Sequence, residues 1–280
     1  MNLFKNRIAL IVTKHGKEEV MRPLLEETLK AKCYVTSDFN TDAFGTFSGE
    51  ISRDQDALST LRKKCLSVMD YYKVDLAIAS EGSFGPHPTF FFSSADDEMV
   101  MLMDRKNNLE IVGRELSLET NFAVKEITDK ATFKDFLKQI QFPSHKVILK
   151  SSALNWEEIH KDISTEEEIY AVFEEMLSRY PSVYLETDMR AMHNPTRMTV
   201  IEKAVENLIK KIDSCCPICE TPGFSIVKSV TGLPCQSCNT LTKSILHNVV
   251  QCQKCNHEEK SYFPRNLKFE DPTFCDNCNP

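Results

Sequence analysis

The chain has 280 residues, 41% of them hydrophobic, with a formal net charge of -7 and a pI near 5.6. This length and apolar content support one large globular domain or two smaller ones, with a sizeable core. The acidic balance opposes non-specific attraction to nucleic-acid phosphates or anionic lipid. No stretch nears the ~20 apolar residues of a membrane span or carries a secretory leader, so a cytoplasmic protein with no membrane partner is expected.

The apolar, β-branched run Ile8–Val12 predicts a strand. Thr13-Lys14-His15-Gly16-Lys17 follows, then a helical pattern through Leu24, Leu25, Thr28 and Leu29, with Pro23 requiring a start near Val20 or a kink. Backbone N–H groups at a helix start, joined by a lysine and a hydroxyl, can hold an anion, so Thr13, His15, Gly16 and Lys17 are candidate phosphate contacts. A plain strand-to-helix turn is the alternative. A second strand is expected at Cys33–Thr36 and a helix over Ala57–Tyr71, whose Leu58, Leu61, Cys65, Leu66 and Met69 recur at helical spacing. Cys33 and Cys65 suit the core as small apolar groups.

The strand Val74–Ala79 delivers Ser80-Glu81-Gly82-Ser83-Phe84-Gly85-Pro86-His87-Pro88, read as a loop at the rim of a cleft. Glu81 arrives at the end of a buried strand, and Gly82 and Gly85 permit close approach by other groups. Ser80, Ser83 and His87 are candidate ligand contacts on that rim, although a loop histidine also serves to hold its own loop. The apolar Thr89–Phe92 is expected to return the chain to the core. Acidic groups nearby in sequence include Asp42 and Glu50, and Mg2+ or Mn2+ on substrate phosphates needs only one or two carboxylates.

Beyond this point, Glu98–Asp104 and Leu109–Val112 flank the turn Lys106-Asn107-Asn108, which predicts a hairpin and hence a mixed sheet. A helix is expected over Ala131–Ile140, a strand over Lys146–Leu149, and a capping box at Ser164-Thr165-Glu166-Glu167 before a helix with Ile169, Val172, Phe173 and Met176 inward. After a strand at Val183–Leu185, the segment ETDMRAMHNPTRM places Arg190, His193 and Arg197 between a strand end and a helix. They either cap the helix around an Asp188–Arg190 pair or form a second cleft wall whose guanidinium forks meet an anion. Asn194-Pro195 should open the helix that ends near Ile212. The fold class is therefore α/β, a mixed-sheet main domain over residues 1–212 with a tail over 213–280.

Nine of the eleven cysteines fall in the last 66 residues. Eight form four C-x2-C pairs: Cys216/Cys219, Cys235/Cys238, Cys252/Cys255 and Cys275/Cys278. Each pair turns two thiolates toward one centre, and two pairs supply the tetrahedral set zinc prefers, so two closed structural Zn2+ sites in small ribbons are expected. Gaps of 15 and 19 residues favour pairing first with second and third with fourth, with a nested arrangement as the alternative. Four thiolates leave no open position for catalysis. Lysines and arginines in the tail are balanced by acids, so a protein partner competes with RNA as the contact of this tail.

The order of strand, threonine-containing loop, helix, Gly45–Glu50 "GTFSGE", a helix with Arg62-Lys63-Lys64, and a strand ending in Glu81-Gly82 resembles the inosine/xanthosine triphosphate pyrophosphatase superfamily over roughly residues 7–115. That resemblance implies a mixed α/β fold with a cleft and Mg2+-dependent hydrolysis of a nucleoside triphosphate. It would give Thr13, His15 and Lys17 the triphosphate, and Glu81 with Asp42 or Glu50 the metal and the attacking water. The combination TKHGKE, ASEGSFGPHP, ETDMRAMHNPTRM and the cysteine tail also looks like a bacterial family of unknown function spanning almost the whole chain. The rival to a hydrolase is a non-catalytic protein that senses a nucleotide or binds RNA or protein through its ribbons; the sequence is also compatible with a homodimer.

Overall fold

The computed structural model describes residues 3–36, 56–154 and 156–280. Asp42 and Glu50 lie outside the described residues. Two compact units form, one from residues 2–103 with 112–208 and the other from 104–111 with 209–280. No helix among the described residues is long and apolar enough to cross a membrane.

A mixed five-stranded sheet of order β2-β1-β3-β4-β5 is built from β1 (Ile8–Val12), β2 (Lys32–Val35), β3 (Leu76–Pro86), β4 (Ser94–Asp104) and β5 (Leu109–Ser117). β1 runs parallel to β2 and to β3, the arrangement that requires the crossover helices α1 (Glu18–Leu29) and α2 (Ala57–Tyr72). Helix α1 starts at Glu18 and carries Pro23 inside it, forgoing one helical hydrogen bond and earlier in its start than Val20. Helix α2 opens on Asp56, whose carboxylate accepts from the Leu58 and Ser59 N–H groups at 3.1 Å.

Leu61, Cys65, Val68 and Met69 of α2 pack on Leu10, Val12, Ala77, Ala79, Met101 and Met103. Side chains alternate across a strand, so Asp96, Glu98, Val100 and Leu102 of β4 face away from α2. That other face receives α5 (Pro195–Asp213). A Cβ on Gly113 of β5 would lie 2.3 Å from the Ala204 carbonyl oxygen, so only glycine lets helix and strand approach this closely.

Two expectations for the stretch after residue 79 change. Ser80–Pro86 continues β3 instead of forming a loop: β1 pairs with the strand only as far as Ala79, and β4 is its neighbour on the other side. The reversal comes later, where the His87 N–H donates to the Ser93 carbonyl at 2.8 Å. Thr89–Phe92 therefore occupies the exposed tip of the β3–β4 connection and does not re-enter the core: Phe92 is 91% exposed.

A second, antiparallel sheet has the order β6-β9-β7-β8, from β6 (Val124–Ile127), β7 (Val147–Lys150), β8 (Ile159–His160) and β9 (Val183–Thr187). α3 (Lys130–Gln139) and α4 (Glu166–Arg179) cover it around Phe133, Phe136, Ile169, Phe173 and Met176. The α4 cap is Thr165, whose hydroxyl accepts from the Glu168 N–H at 3.2 Å, one residue later than the expected box. Asn194 caps α5 by accepting from the Arg197 N–H at 2.9 Å, with Pro195 in the first turn.

In the other unit β10 (Ser225–Thr231), β11 (Ile245–Gln251) and β12 (Glu258–Tyr262) form a three-stranded antiparallel sheet. Its small apolar cluster consists of Cys216, Phe224 and Cys252, with Val250 and Cys219 packed against it.

Candidate functional site

The end of β1 and the starts of α1 and α5 converge on one carboxylate. Thr13 closes β1, and His15 and Gly16 then take left-handed conformations, φ +66° and +76°, which turn the chain sharply so that Lys17 begins α1. Lys17 is buried, with Nζ 3.5 Å from Glu98 Oε2. From the opposite side Arg197, in the first turn of α5, donates from Nε to Glu98 Oε1 at 2.6 Å and from a terminal nitrogen to the Met189 carbonyl. Phe84 covers the Arg197 guanidinium, its ring centroid 5.0 Å away. Gly82 leaves room for the arrangement, since a Cβ there would stand 2.1 Å from Glu98 Oε1.

Asp96, two residues before Glu98 on the same strand face, has 0% exposure, and neither carboxylate oxygen has a hydrogen-bond partner among the described residues. Burial, then the neighbouring Glu98, pushes its pKa up to about 8. Burial also pulls Lys17 down to about 8, against the opposing pull of Glu98. Glu98 is held below the usual carboxylate range: burial opposes this, but Arg197 and Lys17 outweigh it. With Asp96 protonated, Lys17, Arg197 and Glu98 leave one positive charge in excess in a buried site.

Glu81 faces the other side of the sheet and is engaged by Lys64 Nζ, which also donates to the Ser80 carbonyl at 3.4 Å. The Ser80 hydroxyl is buried with no partner among the described residues, and Ser83 is exposed. His87 holds its own turn: Nδ1 accepts from the Thr89 and Phe90 N–H groups at 3.1 Å, and the ring stacks on Phe90. Arg190 does not join Lys17. It grips the buried Asp188 and reaches Asp162 at 2.7 Å, which also meets His193 Nε2 at 2.8 Å. Asp162, Asp188 and His193 come close enough together to resemble a metal set, but Arg190 already supplies the cation there.

Asp96, Glu98 and Lys64 were not candidates from sequence alone. The expected strand begins at Glu98, four residues after the observed start at Ser94, which leaves Asp96 outside it. The available signal was parity: Asp96 and Glu98 extend the period of Val100 and Leu102, so a strand beginning at Ser94 buries both acids.

The eight tail cysteines form two groups of four, and each could hold a structural zinc ion. One group is Cys216, Cys219, Cys252 and Cys255; the other is Cys235, Cys238, Cys275 and Cys278. The pairing is therefore interleaved, first with third and second with fourth, which corrects both the sequential and the nested expectations. The Sγ–Sγ separations, 3.4 to 3.8 Å, match the edge of about 3.8 Å that a tetrahedron with ~2.3 Å Zn–S bonds requires. They are far longer than the ~2.05 Å of a disulfide. Thr221 and Thr240 place hydroxyls 3.2 and 3.3 Å from Cys219 and Cys238 Sγ, the same outer contact in both centres. In the first centre the adjoining Gln253 side chain holds the Glu110 backbone at both its N–H (3.0 Å) and its carbonyl (2.6 Å).

A family model described as a domain of unknown function (DUF6671) matches residues 64–280. The match takes in Lys64, Glu81, Asp96, Glu98, Arg197 and all eight zinc-spaced cysteines, and it starts after Lys17. No curated protein matches the chain.

Proposed function

Since the chain belongs to the DUF6671 family, whose function is unknown, its chemistry has to come from its own residues, and we propose that it is a metal-dependent hydrolase of a nucleotide phosphate. The observation that carries this reading is Asp96, a fully buried carboxylate with no partner among the described residues, beside a Lys17–Glu98–Arg197 cluster. Buried charge without full compensation is costly and concentrates at functional sites. Lys17 and Arg197 suit phosphate oxygens, and the turn at His15 and Gly16 sets Lys17 at the start of α1.

Mg2+ or Mn2+ would take the place of the proton on Asp96 and of the Lys17 contact with Glu98. Asp96 and Glu98 would hold it, and a divalent ion supplies charge neutralisation on the phosphates. Lys17 would bind a phosphate oxygen, Arg197 would fix the orientation of Glu98, and Phe84 would keep water from the guanidinium. Glu81, already paired with Lys64, would act as a support for β3 instead of a ligand. The zinc centres would be structural, in keeping with a reducing, cytoplasmic setting. Incubation with a panel of nucleotides and Mg2+ or Mn2+ tests the reading. Pyrophosphate or phosphate release that disappears in Asp96→Asn is the expected result; release from no nucleotide, or release indifferent to that change, refutes it.

A second reading has its own observation. The zinc-bearing unit exposes Ile218 (68%), Leu241 (72%) and Phe274 (67%), side chains suited to a protein partner more than to RNA. In that case the charged cluster would sense a nucleotide without turning it over, and ligand binding without product release would identify it.

A further inference from the structure

A different group of residues, between the second sheet and the start of α5, has the proton order of a catalytic relay. Ser144 Oγ donates its single proton to the Gln141 carbonyl at 2.7 Å. Its 3.1 Å contact with His145 Nδ1 must therefore be one in which the ring nitrogen donates. That leaves the lone pair of the buried imidazole on Nε2, which faces the Thr196 N–H at 3.3 Å and the Thr196 hydroxyl at 2.9 Å. The hydroxyl can only donate to it. Burial lowers the proton affinity of His145, consistent with a neutral ring.

Thr196 also lines a cavity of about 360 Å3 whose other walls include Asn121, Gln139, Gln141 and Glu119. Asn121 is fixed through its Oδ1, which accepts from Asn194 Nδ2 at 2.7 Å. Its own Nδ2 is buried and has no hydrogen-bond partner among the described residues. A hydroxyl with an oriented base thus stands at a polar cavity that Asn121, with its spare amide donor, also lines. Simple capping of α5 explains the contacts of His145 with Thr196, but it explains neither the spare Asn121 donor nor the cavity.

We propose that Thr196, His145 and Asn121 form a second reactive site, independent of the phosphate site, that transfers the acyl group of a small polar ester through Thr196. Thr196 Oγ attacks the ester carbonyl carbon as its proton passes to His145 Nε2, and the resulting oxyanion accepts from Asn121 Nδ2. Collapse breaks the bond to the leaving oxygen, which takes the proton from Nε2. Water, giving its proton to the same nitrogen, then releases the acid and restores the threonine.

The probe is p-nitrophenyl acetate with the full chain and its zinc in place. The expected result is release of p-nitrophenolate with an acetyl group located on Thr196 by peptide mass spectrometry. Labelling should persist in Thr196→Ser, vanish in Thr196→Val, slow by about 10²-fold in Asn121→Ala, and fall as acidification protonates His145. Circular dichroism checks that each variant folds; should the valine variant not fold, the position of the acetyl group on the wild-type chain decides alone. Acetylation confined to lysines or cysteines, with Thr196 unmodified, overturns the proposal, as does Thr196 labelling that is unaffected by Asn121→Ala.

Discussion

Arg197 Nε donates to Glu98 Oε1 across 2.6 Å with both side chains fully buried, joining α5 to β4 of the first sheet. Removing one partner leaves the other charge buried without compensation, which costs about 3–5 kcal/mol. Glu98→Gln and Arg197→Met should each lower the unfolding free energy by that scale, seen as a lower urea midpoint. The double change to Leu and Met should recover part of the loss, because apolar replacement of both partners removes the desolvation penalty as well. A double variant as unstable as the sum of the single ones would mean that the pair is not coupled.

The two shifted groups beside that pair give stability opposite slopes with pH. Asp96 has its folded pKa raised to about 8 from 3.8, so its contribution is fully present below pH ~4 and is lost as pH rises toward 8. Lys17 has its folded pKa lowered from 10.5 to about 8, so its contribution is present above pH ~10.5 and is lost as pH falls through 8. Between pH 5 and 7.5 the Asp96 effect governs, with a limiting slope of about 1.4 kcal/mol per pH unit. Asp96→Asn should flatten this part of the curve, measured by urea unfolding at stepped pH. Saturating Mg2+ should flatten it too if Asp96 holds the ion, because the cation keeps the carboxylate charged.

What could be read from sequence divides along the range of the interactions. β1, α1 and the strand carrying Glu81 followed from apolar runs and helical spacing, which are local signals. Arg197 was a candidate, yet its partner Glu98 was not, because the two are far apart in sequence and only the crossing of α5 over β4 joins them. The glycines of Ser80–Pro86 suggested a loop, whereas the segment extends β3 past the end of β1, with β4 as its neighbour. The eight cysteines were legible as zinc ligands, but their pairing depends on how β10, β11 and β12 return the chain, and gap length carries no record of that.

The interleaved pairing makes a stoichiometric prediction. Cys216 and Cys252 belong to one centre, and Cys235 to the other. Cys216→Ser with Cys252→Ser should therefore leave one zinc per chain, while Cys216→Ser with Cys235→Ser should leave none. Sequential pairing would give the reverse. Metal analysis after desalting distinguishes them. Full chelation should also unfold the tail, since Cys216, Phe224 and Cys252 form too small an apolar cluster to hold it and zinc binding supplies the folding energy.

Gly82 and Gly85 lie three residues apart on β3, and their surroundings separate a packing requirement from a turn requirement. An added Cβ at Gly82 would lie 2.1 Å from Glu98 Oε1 and 2.5 Å from its Cδ, whereas one at Gly85 meets nothing within 4 Å. Glu98 cannot swing aside cheaply, because Arg197 holds one of its oxygens and Lys17 stands near the other. Gly82→Ala should consequently cost about 1–3 kcal/mol as overpacking, with a further loss as the displaced carboxylate leaves Arg197. Gly85→Ala should stay within about 0.5 kcal/mol of the parent. Calorimetric or urea unfolding of the two variants side by side checks the difference. Equal effects would show that the glycines serve only the backbone of β3, and that Glu98 does not occupy the space over Gly82.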